Sequence, residues 1–168
     1  TTEPWIGAMK GNHDANIEDH VDSDVRIHPA GGMVWEDTGL VHGHTWPSSR
    51  VMSCRQLVMA HNHPTVMFLD GVGKRTSEPC WLRGAFRQAG DRYQQVPEAF
   101  LVVPAFNPVL GGSPVNVENE QLLGPLLNSG LPDLDSTRIF LLDGIDLGRR
   151  SDLMVTGPSY RRRKVRGI

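Results

Sequence analysis

Three short stretches concentrate the groups that bind metals and move protons. They are Gly11-Asn12-His13-Asp14, His42-Gly43-His44 and His61-Asn62-His63. Imidazole suits zinc, manganese, iron and nickel, and a carboxamide oxygen or a carboxylate extends such a set to harder ions. A histidine with a neighbouring carboxylate can also pass a proton near neutral pH. All seven histidines fall within the first 63 residues, and the remaining 105 have none. Chance placement gives that pattern on the order of once in a thousand chains. A lone loop histidine is ordinarily a satisfied polar residue, and His20 and His28 are read that way, in an acidic stretch and a strand-like run respectively. The other five share a setting, since each follows an apolar, strand-like run at its C-terminal end. Ligands in α/β proteins collect beyond those strand ends. His61 and His63 are two apart, so an extended backbone would point them the same way, and Pro64 would favour that geometry at His63.

The elements that must position these groups read as follows. Short apolar runs predict strands over 5–10 (buried), 25–29, 32–37, 39–44, 57–64, 65–70, 99–106 and 138–143, with a last one over 152–157. The Gly71-Val72-Gly73 triplet predicts a turn after 65–70. Helices are expected over 47–56, starting near Pro47 or Ser48, and over 119–128, kinked at Gly124-Pro125. The mixture is β-rich, with few helices and loops full of Gly and Pro.

The length of 168 residues suits one domain or part of a larger one. Net charge is −2, but residues 1–160 hold 12 bases against 19 acids, a net of −7. The balance comes from Arg161, Arg162, Arg163, Lys164 and Arg166, so 158–168 reads as a solvated basic tail and the acidic body does not resemble a general nucleic-acid binder. Cys54 and Cys80 form no disulfide framework and read as reduced, buried thiols of a cytoplasmic protein. No apolar run approaches the roughly 18 residues that span a bilayer.

The motifs, in order, resemble those of the calcineurin-like metallophosphoesterases. "GNHD", "HGH" and "AHNH" match the last three motifs of that family, with Ala60 where the family usually has Gly. The stretches "HGHTWP", "HNHPTVMFLDGVG", "PCWLRG", "VVPAFNPVLGGSPVN" and "FLLDGIDLG" are similar to the archaeal branch related to the ligase-associated phosphoesterases. The resemblance runs from Trp5 to about Leu153 and implies a metallophosphoesterase domain over 1–157. It implies an α/β fold, the αββα sandwich of two mixed sheets flanked by helices, of which this chain would hold the C-terminal portion. It further implies Asn12, His42 and His61 as ligands of one metal and His63 as a ligand of another. His13 would be the general acid and Asp14 its orienting partner. The resemblance gives His44 no role of its own, and it is read as touching substrate or standing behind the ligands; Trp46 is read as a semi-buried aromatic or as part of a substrate rim. Two divalent ions are implied, manganese foremost, with iron, zinc or nickel accepting the same donors. The substrate would be a phosphoester, with nucleic acid or a nucleotide as the leading class.

The family's earlier Asp-x-His and Gly-Asp-x-x-Asp motifs, which supply the remaining ligands and the bridging carboxylate, are missing. Only ten residues precede Gly11. The expectation is therefore a fragment of a longer phosphoesterase that is inactive alone. The alternative is a non-catalytic binding module or subunit on a degenerate version of the fold.

Overall fold

The computed structural model describes residues 6–87, 90–107 and 109–155. Two β-assemblies dominate it, the larger one mixed. The smaller is a parallel pair, β1 (Ile6–Met9) and β2 (Val25–His28). The larger contains β3 (Met33–Trp35), β4 (Thr38–Val41), β5 (Gln56–Met59), β6 (Pro64–Leu69), β7 (Arg75–Gly84), β8 (Ala99–Val102), β9 (Ser113–Pro114), β10 (Arg138–Leu141) and β11 (Asp146–Arg149). Its spatial order is β11-β10-β7-β8-β5-β4-β3, with β6 on β7 and β9 on β6.

At its centre β4, β5 and β8 run parallel and in register, so Val41, Met59 and Val102 lie side by side at their C-terminal ends. Loops leaving those three ends emerge on one edge. Alternation along the strands explains the core. Val41, Leu57, Met59, Phe100 and Val102 face inward and are fully or almost fully buried, joined by Leu82 and Cys80 of β7 and Ile139 of β10. A helix of four residues, α1 (Ser49–Met52), adds Val51 and Met52 to that face. Ser48 caps it through the Val51 amide, and it presses so close to Gly39 that a β-carbon there would lie 2.7 Å from Val51. The opposite face carries Leu40, Val58 and Leu101, aligned across the three strands and only half-buried.

β7 works as a hinge between two pairings. Arg75–Pro79 pair with β6, whereas Cys80–Arg83 pair with β10 and Leu82–Gly84 with β8. Pro79, which has no amide to donate, stands at the changeover. The β6–β7 turn is built on Asp70, whose side chain accepts from the Val72 and Lys74 amides. Val72 at its tip is exposed.

Several expected elements differ. The 119–128 helix is absent. Residues 123–130 form bends and turns, because Gly124 adopts φ +75° and the Asn128 amide group donates to the Leu122 and Gly124 carbonyls. The 47–56 helix contracts to α1, which ends at Met52 and is capped by Ser53. The 152–157 strand is replaced by a 3-10 turn over Arg150–Leu153, with Val155 bridging Val117, and 156–157 lie outside the described residues. β1 is not buried, since Gly7 is exposed and Ala8 and Met9 are half-buried. β7, β9 and β11 carry no strong strand signal in the sequence, yet they pair. The α-helix among the described residues is α1, so the helical layers of a sandwich are not represented there. No described helix is long and apolar enough to cross a membrane. Cys54 and Cys80 are free and buried, and burial pushes the Cys80 thiol up to about 12. The basic tail lies outside the described residues.

Candidate metal centre

Three strand ends meet at one cavity of about 440 Å³. Gly11–Asp14 arrive from β1, His42 from β4, and His61 and His63 from β5; Leu110 and Leu123 complete the walls. Lys10, just past β1, donates its amide to the His28 carbonyl, which holds the Gly11 turn at the end of the small sheet. Within that turn the Gly11 amide donates to Asp14 Oδ2 at 2.8 Å. A β-carbon at Gly11 would sit 2.9 Å from that carboxylate and 3.1 Å from the His42 ring, so a side chain there would displace the Asp14 carboxylate.

Asn12 Oδ1 and His42 Nε2 lie 3.0 Å apart. Neighbouring donors about 2.1 Å from one divalent ion are separated by about 3.0–3.4 Å. The same distance suits a hydrogen bond from the ring to the carboxamide. The His42 ring is 5.0 Å from that of His61 and 5.2 Å from that of His44, and His44 and His61 are 5.9 Å apart. His13 is exposed on the rim, with His63 half-buried deeper in the wall. Among the described residues no three His, Cys, Asp or Glu side chains are arranged to hold one ion. The donor chemistry fits a divalent ion at Asn12 and His42, with His61 adjacent. In the geometry shown, that pair is close enough to share an ion and the third ligand is not yet in place.

The electrostatics suit neutral ligands. Burial, followed by the neighbouring imidazoles of His42, His44, His63 and His13, lowers the His61 pKa to about 4. His42 is lowered too, chiefly by burial and then by His44, with Asp14 acting the other way. An imidazole that stays unprotonated needs to shed no proton before it ligates.

His61 has φ +66° and His63 φ +43°. The extended geometry expected for this pair is therefore not what forms. Pro64 restricts the preceding residue but does not hold it extended here, because two backbone bonds fold the stretch. The Asn62 amide returns to the Ala60 carbonyl at 2.7 Å, making a γ-turn with His61 at its centre, and the Ser113 amide takes the His63 carbonyl at 3.0 Å. The turn also leaves Asn62 fully buried, with Oδ1 bonded to no protein group.

The remaining candidates lie apart from the cavity wall. His44 packs against His42 and His61, and its buried Nδ1 has no protein partner. Trp46 stacks under the Arg92 guanidinium, 4.0 Å from the ring centre, and beside Tyr93, whose hydroxyl donates to the Pro47 carbonyl. His20 is exposed after a 3-10 turn, and His28 sits over Gly7. Leu110 and Leu123 carry no chemical signature in the sequence. Their hint is position, in the Gly- and Pro-rich loops after β8 and β9.

No family model matches the chain, and no curated protein matches it. Among solved structures, the crystal structure of Pseudomonas putida nuclease MPE is similar at 20% identity and a TM-score of 0.44. The match covers 80% of this chain and 48% of that one, so the chain spans about half the length of that structure. A likeness of that size assigns neither a family nor an activity.

Proposed function

We propose that the chain carries the metal-binding part of a phosphoester hydrolase of the calcineurin-like type, its sheets belonging to an αββα sandwich. The observation that carries this reading is the convergence of Asn12 Oδ1 and His42 Nε2 to 3.0 Å at the meeting of β1 and β4, with the His61 ring beside them. Asn12, His42 and His61 would hold one divalent ion, with His63 available to a second. The chemistry such ions supply when bound is polarisation of a phosphoryl oxygen and acidification of a water. The residues do the rest. His61 and His42 stay neutral and ready to ligate. Asp14 is fixed by the Gly11 amide and places its charge beside His42. His13, on the open rim, would deliver a proton to the departing alkoxide. The carboxylate on the described cavity wall is Asp14, so two metals are held poorly by this chain's own donors and turnover by the chain alone should be slow. Manganese, iron, zinc and nickel all suit the donors. Nucleic acid or a nucleotide remains the substrate class we favour, on the motif resemblance.

One observation favours a second reading, a non-catalytic binding module: no three ligating side chains converge among the described residues. Calorimetric titration with Zn²⁺ and turnover of an aryl phosphodiester with Mn²⁺ separate the two. The hydrolase reading expects saturable metal binding that weakens at least tenfold in Asn12→Ala and His61→Ala, with slow turnover abolished in both. Turnover that both variants abolish would decide for the hydrolase, metal binding without turnover fits an incomplete hydrolase site as well as the module, and an unchanged affinity in both variants would remove the site.

A further inference from the structure

The cavity is not polar all round. Leu110 and Leu123 form part of its wall beside the histidines, yet they are 51% and 39% exposed. Side chains of that size facing water at the mouth of a polar site are poorly placed for stability and well placed for contact with a ligand.

Both are held there deliberately. Leu110 belongs to the strap between β8 and β9, whose described ends are anchored at two points. At one end the Val103 amide bonds the Met59 carbonyl, the last residue of β5. At the other the Ser113 amide bonds the carbonyl of His63 itself. Gly112 passes so close under this joint that a β-carbon would lie 2.6 Å from the His63 carbonyl and 2.1 Å from the Thr65 side chain. In between, Asn107 organises the turn by accepting from the Val109 amide, and Phe106 and Val109 stand fully or almost fully exposed. Leu123 is set by Gly124, whose left-handed backbone lets it press against the Gly43 carbonyl, 2.2 Å from where a β-carbon would be. The strap and the 122–127 segment are thus tied to the same two loops that carry His42, His61 and His63.

We infer that Leu110 and Leu123 are specificity-determining residues, forming a subsite for a flat aromatic group on the ester side of the phosphoryl group that the histidines face. This rests on the phosphoester reading above. An aromatic ring offers apolar surface to two leucines without needing hydrogen bonds, whereas a short alkyl or polar ester would leave them wet. The ring could be an aryl group attached near phosphorus or the base of a nucleotide, and the cavity volume admits either.

The test is calorimetric binding to the Zn²⁺-loaded chain of two matched pairs, phenylphosphonate with methylphosphonate and adenosine 5′-monophosphate with ribose 5-phosphate, and inorganic phosphate as the reference. The aromatic member of at least one pair should bind about tenfold more tightly, the gain from removing ~60 Å² of apolar surface from water. A gain in the first pair identifies an aryl group and a gain in the second a nucleobase. The double variant Leu110→Ser, Leu123→Ser, whose residues lie outside the core, should erase that gain and leave phosphate binding unchanged. Equal affinity within both pairs overturns the subsite while the anion site stands. A preference that survives the double variant overturns the assignment to these leucines. Absence of binding by all five anions overturns the phosphoester reading, and the subsite with it.

Discussion

Backbone conformations that L-residues seldom adopt occur twice within three residues at the end of β5, at His61 and His63. Each costs on the order of 1–3 kcal/mol and persists where the surroundings over-determine it. Here the γ-turn to Ala60 and the bond from Ser113 do so. The strain places His61 against His42 and His44, where burial and neighbouring rings hold its pKa near 4. In the unfolded chain an imidazole takes up its proton near pH 6.5. Between those values the unfolded state binds more protons, so stability falls as pH drops from about 7 toward 4 and is untouched above that window. His42, lowered in the same direction, adds to the effect. Urea midpoints of the metal-free chain should therefore decline across that range, and His61→Asn should flatten the decline. An identical pH slope in the variant would show that other groups cause it.

At the level of elements, a side chain substitutes for a strand. Asn116 accepts from the Met67 amide, returns its own amide to the Met67 carbonyl and donates again to the Leu153 carbonyl. It thereby closes the β6 edge just beyond β9, where open backbone would invite pairing with another chain. Asn116→Ala should destabilise the fold by about 2–4 kcal/mol, since it orphans buried backbone groups as well as losing the bonds. The same variant should aggregate sooner; urea denaturation and light scattering would show both. Such elements were hard to read beforehand. The Leu122, Leu126 and Leu127 spacing imitates a helix, but these leucines bury from a turn that Gly124 and Asn128 shape. β7 shows apolar alternation only from Cys80 onward, because its first half pairs with β6 while facing water. By contrast β1, β4 and β5 were legible, with the histidines beyond their ends, because apolar runs that stop at Gly and His mark the strand ends themselves. Leu110 and Leu123 were illegible, since two leucines in loops say nothing until the fold brings them to a histidine.

On the scale of the whole molecule, the register of β4, β5 and β8 sets the spacing of the site, and remote turns have little say in it. The Gly71–Gly73 turn is the most remote kind. It is exposed, and a β-carbon at either glycine would touch nothing within 4 Å. Limited proteolysis should cut there, as at other exposed loop tips. The pieces should stay together in gel filtration, because β6–β7 pairing and the shared core cross the cut. Separation of the pieces without denaturant would show that register alone does not hold the molecule. The cut would fall along a division of labour. Every histidine lies before Gly71, and both leucines of the cavity wall lie after Gly73. That turn is a seam in the chain: the proposed metal ligands and the proposed subsite fall on opposite sides of it, so residues on one side can be changed without altering those on the other.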